Sequence, residues 1–255
     1  MDREPPLHLD LVDGFRLHGD GESYDLPLNA RRVLAFLALN GNPSRGCVAG
    51  HLWPEVSDKH ALGSLRTVLH RLQSACPDVV RVCRDTLALD PSVRVDFHRI
   101  TSWALAVLPG TGGRGPTEPP ARVLDGFYRG ELLPGWYDEW VLLEREQFHQ
   151  LRMHALEAWS DRLAASGRFG EALYAAHGAV RVSPLRESAH RAVIRIHLAE
   201  GNVTEALRQY ESFRALLHTE LGADPSRLMD ELLDGRAVLS GSGARPEPGR
   251  SLTHR

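Results

Sequence analysis

Lysine is almost missing: Lys59 is the only one in 255 residues, so arginine supplies the other 29 of the 30 basic side chains. Such usage tracks a GC-rich codon supply, which forbids reading every arginine as a phosphate contact. Cysteine is scarce too. Cys47, Cys76 and Cys83 form no CxxC pair, which argues against a disulfide framework or a zinc knuckle and suits the cytoplasm. No stretch reaches the roughly 18 continuous apolar residues needed to cross a bilayer, and "MDREPPLHLD" lacks the basic-then-apolar pattern of a signal peptide. There is no HExxH, no GxGxxG and no GxSxG, and "GTGGRG" lacks the GK[ST] ending of a phosphate loop. The thirteen histidines show no metal-ligand spacing; His149 and His154 are five apart, too far around a helix to share a ligand face. The expectation is a protein that is not an enzyme, with no cofactor and no metal.

What the chain does contain is ordinary globular composition, 42% hydrophobic and 25% charged, with a net charge of −3 that gives no global hint of nucleic acid. It opens with strand-like alternation in "LHLDLVDGFRLHG", which sets Leu7, Leu9 and Leu11 on one face against His8 and Asp10. A Gly/Asp turn then leads to a second short strand around Tyr24–Leu26. Three helices follow in the pattern. Asn29 is expected to cap the first, striped by Val33, Leu34, Leu37 and Ala38; Ser44 the second, ended by Pro54; and Ser57 the third, ended by Pro77. On the third helix Leu62, Leu65, Leu69, Leu72 and Cys76 share one face. At 100° per residue the far side holds Lys59, His60, Gly63, Thr67, His70, Arg71 and Ser74, with Ser64 and Arg66 on its flanks. "VVRV" and "TLAL" then read as two strands around a turn at Cys83–Asp85.

From "VDFHRITSWALAVL" onward the pattern is helical. It is interrupted by "PGTGGRGPTEPPA" at 109–121, a flexible loop by composition, with 8 of 13 residues Gly or Pro. A repeat runs through this half. "ASGRFGEALYAAHGAV" aligns with "AEGNVTEALRQYESFR", matching Gly167 to Gly201 and Ala172 to Ala206 at an offset of 34 residues, the tetratricopeptide period. Asp224 is expected to cap a further helix with Pro225 in its first turn. The tail at 240–255 has no apolar stripe and reads as disordered. Phe127, Trp136, Tyr137 and Trp140 form a cluster that either docks a helix or lines a ligand cage, with docking the commoner use.

A polar helix face alone means little, because exposed arginines are commonplace. The order is more informative: short helix, sharp break, longer helix with basic outward residues, then a two-stranded hairpin. It is that of a winged helix-turn-helix, and the strands ahead of the first helix specify the variant with an N-terminal sheet. The fold class is therefore mainly α with a small β component: a winged helix at 1–94 and an all-α tetratricopeptide-like domain at 95–239.

Several stretches, "LPLNARRVLAFLALNGNPSRGCVAGHLWPEVSDKHALGSLRTVLHRLQ", "ELLPGWYDEWV" and "LRESAHRAVIRIHLAEGNVTEALRQYESFRALLHTELGADPS", together resemble the Streptomyces antibiotic regulatory protein (SARP) family. The likeness runs from about Leu7 to Leu239. It implies a response-regulator-type winged helix joined to a bacterial transcriptional activation domain, and activation of a secondary-metabolite gene cluster from promoter direct repeats. The implied partners are duplex DNA, RNA polymerase with its sigma subunit, and a second protomer on DNA, at the nucleoid and with no membrane contact. By position, Ser64, Arg66, Thr67, His70 and Arg71 match the major-groove helix, Trp53 a backbone-phosphate contact, and Arg84 a wing residue entering the minor groove. In those places Arg71 suits the O6/N7 edge of guanine and the Thr67 methyl suits thymine, while His70 and Arg66 suit phosphates. The pattern is broken where Gln73 and Ser74 replace the basic residues common in relatives, and where Gly63 weakens the helix by up to about 1 kcal/mol relative to alanine. Between Ser44 and Arg94, seven basic residues face five acidic ones, so phosphate grip per protomer is expected to be modest. Two other classes stay open: a protein-binding adaptor, and a regulator gated by a small molecule at Trp136, Tyr137 and Trp140.

Overall fold

The computed structural model describes residues 7–109, 126–128 and 130–240, with side chains to 234. Beyond Pro109 the expected loop at 109–121 lies outside the described residues, as does the expected tail past residue 240. The chain divides into two compact units, Met1–Ala158 and Trp159–Arg255.

The first unit begins with β1 (His8–Asp10), β2 (Arg16–Gly19) and β3 (Glu22–Ser23). The opening alternation is thus folded in two. Asp13 and Gly14 both take positive φ, which reverses the chain and pairs Leu9 with Leu17 across β1 and β2. The next strand is Glu22–Ser23 rather than Tyr24–Leu26, because the Asp20–Gly21 turn is tight enough to pair Gly19 with Glu22 at once. A late strand, β6 (Arg94–Val95), lies parallel to β1 and completes the order β3-β2-β1-β6. It runs across the expected domain limit after residue 94.

Helices α1 (Leu28–Asn40), α2 (Arg45–Leu52) and α3 (Asp58–Ala75) follow. Ser44 caps α2 as expected, its Oγ accepting from the Cys47 N–H at 3.2 Å. The other two caps differ. Helix α1 starts two residues earlier, at Leu28, with Pro27 as N-cap; the Pro27 carbonyl accepts from Ala30 and Arg31 at 2.9 and 3.1 Å, so Asn29 is already inside the helix. Ser57 does sit at the N-cap of α3, but its hydroxyl pairs with His60 Nδ1 at 2.8 Å instead of a backbone N–H. The hairpin is β4 (Val80–Cys83) and β5 (Thr86–Leu89).

Helix α4 (Asp96–Val107) is tied to the sheet by its first residue. Asp96 Oδ1 accepts from the Leu11 N–H at 2.9 Å and Oδ2 from the Val12 N–H at 3.1 Å. Burial pushes this carboxyl up to about 6, against the pull of those N–H groups. A segment ahead of α5 (Glu139–Ala165) then returns to β1: Asp13 donates to the Glu131 carbonyl at 2.8 Å and Leu133 to that of Leu11 at 2.9 Å. Two arginines of α5 hold this segment by its carbonyls. Arg145 reaches Leu132, Leu133 and Trp136, and buried Arg152 reaches Phe127 at 3.0 Å and also Gly130.

The second unit carries α6 (Phe169–Val182), α7 (Glu187–Glu200), α8 (Val203–Leu221) and α9 (Arg227–Ser240). The repeat is visible in atomic terms. Gly167 and Gly201 both take positive φ ahead of α6 and α8, and Ala172 and Ala206 are fully buried, which lets neighbouring helices approach. Ile194, Leu198, Phe213, Leu217 and Met229 form the core. Helix α9 starts three residues after Asp224, which therefore does not cap it. The chain is pinned instead at Ser226, whose N–H donates to Glu187 at 2.8 Å. The architecture is the mainly helical one, with a small N-terminal sheet region followed by helices alone.

Candidate nucleic-acid interface

Trp53 closes α2: its N–H donates to Ala49 at 3.0 Å, its φ leaves the helical region, and Pro54 prevents continuation. The next helix, α3, packs on α1 and α2. Its buried stripe is Ala61, Leu65, Val68, Leu72 and the capping Cys76. That stripe is rotated from the expected one: Leu62 is 39% exposed and Leu69 only half-buried, because small Ala61 and Val68 allow the close approach to α1 and α2 that larger leucines would prevent.

The rotation leaves the outward side intact. Arg66, Thr67, His70 and Arg71 are exposed, while Ser64 is half-buried at the flank. The Thr67 hydroxyl donates to the Gly63 carbonyl at 3.1 Å and Ser74 to that of His70 at 3.1 Å. The Thr67 donor is thus engaged within the helix, and its methyl is what remains to offer.

The hairpin is fastened beside α2. The Arg45 backbone N–H donates to the Asp85 carbonyl at 2.8 Å, that of Leu87 to the Pro43 carbonyl at 2.9 Å, and Ser44 forms a bridge with Thr86. At its tip Arg84 is exposed and left-handed, with φ of 52°. Arg81, three residues earlier on β4, is paired with Asp90 at 2.5 Å. Asp90 is held below the usual carboxylate range, first by Ser92 and then by Arg81.

This pairing sets the arginines apart. Among the described residues Arg31, Arg32, Arg81, Arg145 and Arg191 are in ion pairs, whereas Arg66, Arg71 and Arg84 are in none. The structure brings Arg66, Thr67, His70 and Arg71 onto one exposed helix face. Half-buried Trp53 lies at the turn before that helix, and Arg84 lies on the hairpin.

The aromatic cluster is mostly packing. Phe127 meets Trp103 edge-on at 4.8 Å, Trp136 stacks on Phe15 at 6.1 Å, and Trp140 meets Phe36 edge-on at 5.2 Å. Tyr137 is 81% exposed and outside it, so Trp136, Tyr137 and Trp140 do not close into a cage. Among the described residues no helix is long and apolar enough to cross a membrane, and no group of histidine, cysteine and carboxylate side chains could hold a metal ion.

Residues 123–235 match the family described as "Bacterial transcriptional activator domain". The fold is similar to that of Mycobacterium tuberculosis EmbR, solved in complex with a low-affinity phosphopeptide, with a TM-score of 0.64 at 19% identity over 92% of this chain. The chain spans 66% of the length of that protein. No curated protein matches by sequence. The later helices are thus similar to a domain described for bacterial transcriptional activators, and the chain as a whole shares its fold with EmbR.

Proposed function

We propose that this chain activates transcription by binding promoter direct repeats through residues 1–94 and contacting RNA polymerase, including its sigma subunit, through the helical residues 95–239. The regulated genes would be a secondary-metabolite cluster. The observation that carries the reading is the exposed face of α3, where Arg66 and Arg71 are unpaired beside Thr67 and His70. Arg71 would read guanine, the Thr67 methyl would pack on thymine, Ser64 would lie with them on the major-groove helix, and Arg66, His70 and Trp53 would position it on phosphates. Arg84 would enter the minor groove from the hairpin tip.

No catalysis is needed. An activator adds binding energy to a weak polymerase–promoter complex, and about 1.4 kcal/mol raises occupancy tenfold. With few phosphate contacts per protomer, useful affinity requires two protomers on adjacent repeats, so that the second binding event is effectively intramolecular. Footprinting on DNA flanking the gene, followed by gel-shift titration of one repeat against two, tests this. Tighter binding per site on two repeats is the expected result; equal affinity per site would refute the cooperative reading, and no footprint would refute the DNA-binding one.

A further inference from the structure

A groove of about 720 Å³ lies between α2 and the first turns of α5, and no residue of α3 lines it. On one side α2 contributes Gly46 and Gly50, which leave the wall open, together with His51. On the other stand Trp140 and Glu144, one helical turn apart, with Leu143 beside them.

One polar group in this lining is buried without a partner, and a second is partly desolvated without a cation. Trp140 is only 8% exposed, and its indole N–H meets no acceptor. Glu144 is half-buried and forms no ion pair or hydrogen bond among the described residues; burial raises its carboxyl above the usual range. The one arginine in the lining cannot help, since Arg32 is already paired with Asp138. With Glu139 also present, the lining carries more negative than positive charge. A buried donor without an acceptor costs stability, and a half-buried carboxylate without a cation favours one, so a ligand supplying both an acceptor and a positive charge gains at each group.

We propose that this groove binds a small organic cation, an amine or guanidinium with a hydrogen-bond acceptor close by. The cation would pair with Glu144 and the acceptor would take the Trp140 N–H. The site needs neither DNA nor a second protomer.

The test uses the full chain and two probes of nearly equal shape, Nα-acetyl-argininamide and its uncharged counterpart Nα-acetyl-citrullinamide. Binding is followed by calorimetry and tryptophan fluorescence. Saturable binding of the arginine probe is expected, at least tenfold tighter than the citrulline probe and at least tenfold weakened by Glu144→Gln. A steric variant separates loss of the site from loss of the fold: Gly50 is exposed and a Cβ added there meets nothing within 4 Å, so Gly50→Leu, its fold checked by circular dichroism, should obstruct the groove and abolish binding. No saturation with the arginine probe, equal binding of both probes, or wild-type affinity in Gly50→Leu would overturn the proposal.

Discussion

Replacing Gly130 with alanine should damage the first unit far more than its single added carbon suggests. A Cβ at this position would lie 2.1 Å from Val12 Cγ1 and 2.6 Å from the Gly126 carbonyl oxygen. Val12 cannot swing clear, because it is buried, its N–H is held by Asp96, and it is bridged to Leu132. The Gly126 oxygen is backbone and already accepts from the Gly130 N–H at 3.1 Å. Overpacking of a tight site costs about 1–3 kcal/mol. Displacing Gly130 also pulls its carbonyl from the Arg152 guanidinium, and a hydrogen bond to a charged group contributes about 1.5–3 kcal/mol. The loss should therefore approach about 3–5 kcal/mol, a large share of a domain's typical stability. Val12→Ala in the same chain removes the 2.1 Å contact but not the 2.6 Å one. The double variant should recover about 1 kcal/mol or more relative to additivity, and no more than part of the loss. Urea unfolding gives the magnitude, and hydrogen exchange at Val12 and Leu133 localises it. A loss under about 0.5 kcal/mol for Gly130→Ala would refute the docking of the segment ahead of α5 onto β1.

The helical second unit should be the acid-sensitive one. Burial first, then neighbouring positive charge, lowers His177, and burial lowers His190 despite its bond to the Pro184 carbonyl. Both groups bind protons less readily folded than unfolded, so their stability is present above the ordinary value of 6.5 and is lost as pH falls below it. Asp96 works in the opposite sense in the first unit: raised to about 6, it makes folding there more favourable as pH drops through that value towards 3.8. Exchange protection, corrected for intrinsic rates, should fall first in α6 and α7 between pH 7 and 5; earlier loss in β1 and α4 would contradict this. Ser44→Ala removes the acceptor for the Cys47 N–H and should cost about 1 kcal/mol by urea unfolding. Arg84→Ala should weaken binding to every duplex alike and reduce the salt slope by about 1, and a base-selective effect would contradict its assignment as a grip rather than a base reader.

The periodic elements were legible because their signals are local. The leucine spacing of the third helix, the break at Pro54 and the two β-branched runs each reflect one residue's backbone preference or one face's burial. The repeat was legible for the same reason, through Gly167 and Gly201 and the buried Ala172 and Ala206. Features set by distant partners were not. Small residues decided the rotation of α3, with Ala61 and Val68 facing inward and Leu62 outward. The parallel strand Arg94–Val95 is two residues long and exists only through pairing with β1. Asp96, Arg145 and Arg152 look like ordinary helix charges in sequence, yet they hold carbonyls or N–H groups up to 85 residues away. The outward face of α3 survived the error in the inward one, because polar and apolar sectors both move with the helix and the polar sector is wide.

The central claim is that the exposed face of α3 reads base edges. It is tested most directly by titrating the wild-type chain and Arg71→Ala against a footprinted duplex and its single-base variants at fixed salt. Wild type should discriminate at one guanine by about 1–3 kcal/mol, and Arg71→Ala should lose that discrimination at that position alone. An Arg71→Ala chain that keeps the full base preference, or that weakens on all duplexes by the same factor, would contradict the account.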